Sequence, residues 1–165
     1  MPIPVAEVPQ AGRRVELTAD AATRDAVAKA IGVLALPRLA AVFDLAPLAE
    51  NGIRVSGVVS ATVEQNCVVT LDPVTSEVEE PIELTFVAAN AAPPAADLVA
   101  LQNGDDPPEV LQNGIVDLGS IACEFLFLGI DPYPRKRGAS FHSPESQRDP
   151  SHHPFSALAS LKKPE

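Results

Sequence analysis

The sequence predicts an α+β fold, in which a curled antiparallel β-sheet (a barrel-like meander) packs with two helices between extended, proline-rich termini. Several segments alternate apolar and polar residues, as strands with one buried face do, and two others place apolar residues at helical spacing. The 17 prolines cluster in the first residues, a middle loop and the C-terminal end. Because 46% of the residues are hydrophobic but only 4% are aromatic, the core must consist mainly of Val, Leu, Ile and Ala.

The first half of the chain combines strand and helix patterns. Residues 1–10 contain three prolines and predict an extended arm. Residues 13–19 alternate and predict a strand, whereas residues 20–31 predict a helix that Asp20 caps and Gly32 ends. Residues 38–45 alternate again, and the sequence Glu-Asn-Gly at 50–52 indicates a turn.

The clearest strand pattern covers residues 53–64, which is longer than an ordinary strand. Gly57 interrupts the pattern and predicts a bulge or a bend. Residues 67–71 are rich in β-branched side chains and predict another strand, which ends at a turn formed by Asp72 and Pro73. Residues 78–87 predict a further strand, and Pro81 indicates an edge or a bulge.

Residues 88–115 contain acidic residues but no Lys or Arg, and this composition predicts a long acidic loop. Its two Asn-Gly pairs, at 103–104 and 113–114, indicate turns.

A second helix is predicted after this loop, capped by Asp117 and ending near Gly129. Its wide apolar face, which includes Leu118 and Leu128, should cover the sheet. Pro132 terminates the helix, because proline cannot continue it.

These elements predict one domain over residues 1–130 and an extended C-terminal tail over residues 131–165. Within the tail, residues 154–163 form a short amphipathic segment, with Phe155, Leu158 and Leu161 at three-residue spacing. A segment this short is not a stable helix by itself. Apolar anchors on a basic tail therefore favour docking to a partner or to the protein itself.

Charge is unevenly distributed along the chain. Residues 1–130 hold 6 Lys and Arg against 18 Asp and Glu, whereas residues 131–165 hold 6 against 4. An acidic body favours solubility or binding to basic proteins over binding to bare phosphates.

The tail carries the residues that we expect to contact RNA or a protein partner. Tyr133 could stack on a base, and the basic triplet after Pro134 could bind phosphate groups through hydrogen bonds and ion pairs. The alternative is a solvated charge run that follows a helix end. The complete candidate set is Tyr133, Arg135, Lys136, Arg137, Phe155, Leu158, Leu161, Lys162 and Lys163.

The sequence offers no catalytic or metal-binding constellation. The adjacent acids at 79–80 would point in opposite directions on a strand, and those at 105–106 lie in the acidic loop. The three histidines, His142, His152 and His153, fall in a polar linker, and Ser120 lacks a nucleophile motif. We therefore expect no enzyme activity, no cofactor and no small-molecule substrate.

Cys67 and Cys123 belong to no Cys-x-x-Cys pair, and each is interpreted as a small buried hydrophobic residue, although a disulfide stays open.

The chain shows no signal-type leader and no apolar run of membrane-spanning length. We expect a soluble cytoplasmic protein with no membrane partner.

Four stretches of the chain resemble the YceD family, the large ribosomal RNA subunit accumulation proteins. They are residues 57–74 (GVVSATVEQNCVVTLDPV), residues 116–119 (VDLG) with 124–128 (EFLFL), residues 131–135 (DPYPR), and residues 154–155 (PF) with 158–163 (LASLKK). The resemblance implies a bacterial protein needed for accumulation of large-subunit ribosomal RNA, without a catalytic site. Many relatives begin a Cys-x-x-Cys pair at Cys67, but Thr70 stands at the second position here, which argues against a zinc site.

Three hypotheses of function follow. The first is a non-enzymatic factor for 23S rRNA accumulation and biogenesis of the large (50S) ribosomal subunit, which contacts RNA, assembly particles or a basic ribosomal protein. The second is an acidic adaptor or holdase for a basic ribosomal protein, without RNA contact. The third, an enzyme, would require a pocket with perturbed titratable groups.

Overall fold

The computed structural model describes residues 1–88 and 108–141 of the chain. Seven strands and two helices occur in these ranges: β1 (Pro2–Pro4), β2 (Arg13–Thr18), α1 (Ala21–Ile31), β3 (Ala35–Pro47), β4 (Ile53–Asn66), β5 (Pro73–Val87), β6 (Glu109–Val110), β7 (Ile115–Asp117) and α2 (Leu118–Gly129). Short 3₁₀ turns lie at Val5–Glu7 and Ala49–Asn51. The predicted α+β class and the two helices are confirmed.

The main sheet has five strands in the order β2-β3-β4-β5-β6. Neighbouring strands from β2 to β5 are antiparallel, but β6 pairs in parallel with the end of β5. The expectation of a fully antiparallel sheet is therefore wrong at this edge. The strand order also begins at β2 and ends at β6, so the sheet stays open and does not form a closed barrel.

One face of this sheet, called the inner face here, forms the core. α1 packs on β3, and α2 packs on β4 and β5. Because successive strand residues point to opposite faces, every second residue of the long strands is buried beneath the helices. The buried residues of β3, β4 and β5 include Leu39, Ala41, Phe43, Leu45, Val55, Val59, Ala61, Val63, Val78 and Ile82.

The opposite face, called the open face here, carries polar and small side chains. Arg38 donates to Ser60 Oγ at 2.9 Å and to Glu77 Oε2 at 3.2 Å, so one side chain bridges β3, β4 and β5. Arg14 of β2 pairs with Asp44 of β3 at 3.1 Å. In the described ranges no helix lies over this face.

The N-terminal end of the chain joins the domain through a small second sheet. The predicted N-terminal arm forms β1, which pairs antiparallel with β7 through Ile3 and Val116. Both of these side chains are buried and extend the core. The arm is therefore part of the domain and not a free extension.

The acidic loop predicted for 88–115 is corrected at its end. β6 lies within it, and β7 begins at Ile115. The Asn-Gly turn at 113–114 is confirmed, because both residues have positive φ, at 55° and 68°. The Asn-Gly pair at 103–104 lies outside the described residues.

The strand predicted for 67–71 is wrong. These residues form the loop that connects β4 to β5, and Leu71 N–H donates to the Cys67 carbonyl at 2.9 Å. Leu71 adopts a φ of 62°, which β-branched or bulky residues seldom do. The fixed pairing of β4 with β5 requires a reversal here, and it overrides the local preference of Val68 and Val69 for extended structure.

The predicted helix ends are confirmed, but one of the core residues is not. Asp20 accepts a hydrogen bond from Thr23 N–H at 2.8 Å, and Gly32 ends α1 with a φ of 77°. In α2, Leu118 is fully buried, but Leu128 is 74% exposed. Leu128 is exposed because it lies about 200° around the helix from the buried Leu126. Gly129 at the end of α2 still packs against Val78 and Glu80 of β5. Pro132 follows three residues later and fits the predicted termination.

Asp117 links the N-terminus of the chain to the start of α2. Its carboxylate accepts from Gly119 N–H at 2.9 Å and Ser120 N–H at 3.3 Å, which caps α2, and pairs with the N-terminal ammonium of Met1 at 2.6 Å. The ammonium, followed by the backbone donors, lowers the pKa of Asp117 below its ordinary value.

Gly57 lies where β4 approaches β3 most closely. A Cβ atom at this position would overlap the carbonyl oxygen of Val42 and lie 3.1 Å from Phe43 Cα. Both atoms belong to the backbone of β3 and cannot rotate away. The bulge predicted at Gly57 is wrong, because the pairing runs without a register shift through this residue. Gly57 instead permits a close approach of two strands, and the register irregularity of this strand pair lies between Ala35 and Arg38.

We predict that Gly57→Ala lowers the free energy of unfolding by about 1–3 kcal/mol, since the two strands must separate to admit the methyl group. Chemical denaturation with far-UV circular dichroism measures the change. Val58→Thr, at the neighbouring outward-facing position, should stay within about 0.5 kcal/mol of the native chain. Equal stability of Gly57→Ala and the native chain would contradict the close approach.

We predict that Asp117→Ala lowers the free energy of unfolding at neutral pH by about 0.5–2 kcal/mol, because α2 loses its cap. Asp117→Asn keeps a capping oxygen and should lose less. Since the pKa of Asp117 is lowered in the folded state, its stabilising charge is present above the ordinary carboxyl pKa and is lost as the pH falls through the folded value. The native chain and Asp117→Asn should therefore converge in acid, whereas Asp25→Ala, on an exposed helix position, should change stability little at any pH.

Candidate RNA and partner interface

After α2 the chain turns back onto the loop that joins β4 to β5. Residues 131–137 are called the basic segment here, and residues 67–72 the hairpin loop. Gln65 donates to the Asp131 carbonyl at 3.1 Å, and Val68 N–H donates to the Pro134 carbonyl at 2.9 Å. Pro134 is buried in this contact. The basic segment is thus attached to the domain at both ends and is not a free tail.

Cys67 is the centre of this attachment. Its side chain is fully buried, and its sulfur accepts backbone N–H groups from Val69 and Thr70 at 3.4 Å and from Lys136 at 3.3 Å. The Lys136 amide, followed by Thr70, lowers the pKa of the Cys67 thiol to about 6, against the opposing effect of burial. Burial of Cys67 was predicted, but the donors to its sulfur were not, because Lys136 lies 69 residues away.

Lys136 also joins the basic segment to the hairpin loop on the solvent side through an ion pair, which is called the clamp here. Its ammonium lies 2.9 Å from Asp72 Oδ2, and this contact, together with a hydrogen bond to Thr70, lowers the pKa of Asp72. We predicted Lys136 as a contact to RNA or a partner. The structure uses its amide and its ammonium to hold the basic segment.

Three predicted contact residues point outward from the attached segment. Tyr133 is 71% exposed, and its N–H donates to Asp131 Oδ1 at 2.8 Å, which fixes the turn that presents the ring. Arg135 and Arg137 are exposed, and within the described residues neither forms an ion pair. The structure therefore presents one aromatic ring and two guanidinium groups at the hairpin end of the sheet. The hairpin loop adds Leu71, which is 75% exposed.

The remaining predicted contacts lie outside the described residues. This applies to Phe155, Leu158, Leu161, Lys162 and Lys163, and to the three histidines of the linker. Their roles stay predictions from the sequence.

Two grooves open elsewhere on the domain. One, of about 610 Å³, lies between α1, β2 and the start of α2, and its mostly apolar wall includes Cys123 and Asp117. Burial and the Asp117 charge raise the pKa of the Cys123 thiol, which disfavours a reactive thiolate. The other groove, of about 800 Å³, lies beside the β6–β7 turn and Pro4, away from the basic segment.

The described residues do not fit a zinc site at Cys67. Thr70 occupies the position of a second sulfur ligand, and in residues 1–88 and 108–141 no three His, Cys, Asp or Glu side chains converge to hold a metal. Structural zinc sites use four such ligands. The sulfur instead satisfies three backbone donors.

Comparison with known proteins assigns the chain to a family. The family model described as Large ribosomal RNA subunit accumulation protein YceD matches residues 55–162, which is more than half of the chain. The chain therefore belongs to the YceD family, as the sequence motifs predicted. The match covers β4, the hairpin loop, α2 and the basic segment. Neither a curated protein nor a solved structure matches the chain.

Within the part of the chain that the structure describes, neither helix has the length and apolar character needed to cross a bilayer.

We predict that Cys67→Ala lowers the free energy of unfolding by about 1–3 kcal/mol, since three part-buried backbone N–H groups lose their acceptor. Because the pKa of Cys67 is lowered to about 6 in the folded state, the thiolate contribution is present in full above the ordinary thiol pKa and is lost as the pH falls through about 6. The difference in stability between the native chain and Cys67→Ala should therefore grow as the pH rises above about 6.

Urea denaturation at several pH values measures this difference. Cys123→Ala is the matched control, because the pKa of that thiol is raised and its loss should give no such rise. A stability difference that is independent of pH would show that the sulfur is held only as a neutral hydrophobic group.

Proposed function

We propose that this protein is a non-enzymatic cytoplasmic factor for 23S rRNA accumulation and large-subunit biogenesis, which touches ribosomal RNA through its basic segment. The observation that carries the proposal is the exposure of Tyr133, Arg135 and Arg137 on a backbone segment that is hydrogen-bonded to the domain, in a member of the YceD family. Attachment at Cys67 and Asp72 orders the backbone of this segment before binding, which reduces the entropy cost of recognition.

The chemistry of the three side chains suits single-stranded or loop regions of RNA. An exposed aromatic ring stacks on an unpaired base of any identity, and guanidinium groups form paired hydrogen bonds to phosphate. Two arginines neutralise few phosphates, so we expect modest affinity from this segment alone. Lys162 and Lys163 in the tail would add to it.

The acidity of the domain supports a second candidate function. Residues 1–130 carry three acidic residues for each basic one, a composition that attracts basic proteins and repels RNA elsewhere on the surface. An adaptor or holdase for a basic ribosomal protein would use this charge without the arginines of the basic segment. Both candidates act by binding and require no catalytic residue.

We predict that Arg135→Glu with Arg137→Glu weakens binding to 23S rRNA transcribed in vitro by tenfold or more. Each lost phosphate contact should also reduce the salt dependence by about 0.7–0.9 logarithmic units per decade of salt. Tyr133→Ala should weaken binding by about 1–3 kcal/mol without changing the salt dependence, because stacking is uncharged. Filter binding over a salt series measures both quantities.

Arg13→Glu with Lys29→Glu is the matched control, since it changes net charge equally at exposed positions outside the basic segment. In cells that depend on the variant protein, the ratio of 23S to 16S rRNA should fall with the first pair and not with the control. If both pairs behave like the native chain in the two assays, RNA contact through the basic segment is wrong and the adaptor becomes the better candidate.

A further inference from the structure

The open face of the sheet is a broad surface of the domain that the basic segment does not use. Its four long strands lie about 4.8 Å apart, and their paired length is on the order of 30 Å. The face therefore offers an area on the order of 500 Å², which approaches one side of a small specific interface. α1 and α2 both pack on the inner face and leave these side chains uncovered by any described helix.

An apolar stripe crosses the middle of this face. Val42 of β3 is directly opposite Val58 of β4, and Val58 is opposite Pro81 of β5, so the three side chains form one continuous row. Val58 is 37% exposed. Ala40 extends the row toward the hairpin end. Nothing in the fold requires apolar residues at these outward positions, where neighbouring residues are polar.

The rim of the stripe is acidic. Glu79 and Glu83 flank Pro81 on β5, and both point to the open face because they alternate with the buried Val78 and Ile82. In residues 1–88 and 108–141 neither carboxylate forms an ion pair, whereas Arg38 is already engaged by Glu77. The face also carries Arg14, which pairs with Asp44, and Arg54, which forms no ion pair within the described residues. Six carboxylates against three cations nevertheless leave net negative charge around the apolar centre.

We propose that the open face is a docking surface for a lysine- and arginine-rich polypeptide segment of a basic RNA-binding protein. An apolar centre with a charged rim is the usual anatomy of a protein interface, and the sign of the rim selects a cationic partner. The same carboxylates repel phosphate and disfavour RNA here. This inference deepens the proposed function, on which it rests, by giving the partner protein a surface distinct from the RNA-contacting segment.

The test uses the full chain and the RNA-free protein fraction extracted from purified 50S subunits. A captured basic protein is identified, purified and titrated by calorimetry against the native chain and three variants. Glu79→Lys with Glu83→Lys should weaken binding at least tenfold. Glu7→Lys with Asp25→Lys changes net charge equally at exposed positions off the face and should weaken it less than threefold. Circular dichroism verifies that each variant is folded.

A third variant, Val58→Asp, separates docking from general charge attraction. It adds negative charge but places it in the apolar centre, so docking predicts weaker binding, whereas unspecific attraction predicts equal or stronger binding. Equal effects of the two charge reversals, or no captured basic protein, would overturn the proposal. So would capture that requires RNA.

The tail segment 154–163 is the competing occupant, since it combines apolar anchors with lysines. In the full chain, Leu158→Glu with Leu161→Glu should not tighten partner binding. Binding that tightens tenfold would show that the tail covers the face, and would overturn the proposal. The RNA assays on Arg135 and Arg137 use separate residues and a separate probe, so failure of the docking surface is distinguishable from failure of the RNA contact.

Discussion

The pairing of β4 with β5 is the constraint on which the rest of this structure depends. These strands form fourteen consecutive residue pairs, so the hairpin runs the full length of the domain. The strict alternation of this ladder buries Val55, Val59 and Val63 on one side only. Both helices must cover that side, and the hairpin loop must project at the far end. The length of this hairpin thus produces the open face and places the hairpin loop where the basic segment packs on it.

The contact between the hairpin loop and the basic segment has a buried sulfur at its centre. Cys67 collects backbone donors from its own loop and from Lys136, so one side chain shapes the turn and anchors a distant part of the chain. The hairpin loop forms a compact turn with hydrogen bonds to this one sulfur. The clamp between Lys136 and Asp72 reinforces the same contact on the solvent side.

The two proposed binding surfaces carry opposite charge and occupy different parts of the sheet. Arg135 and Arg137 extend from the hairpin end, whereas Glu79 and Glu83 line the open face. Separate surfaces of opposite sign would let one small domain hold RNA and a basic protein together without either partner covering the other's site. Such an arrangement would reconcile the acidity of this protein with a family whose description refers to ribosomal RNA.

The sequence by itself determined the elements that local patterns encode: the two helices with their caps at Asp20 and Asp117, the long alternating strands, the turn at 113–114 and the class of the fold. Only the tertiary structure decided that 67–71 turns, that β6 pairs in parallel, that Leu128 is exposed and that Lys136 is a clamp. The physical reason is sequence distance. Caps and alternation depend on neighbours within a few residues, whereas Lys136 and Asp72 lie 64 residues apart and meet only after the sheet has formed.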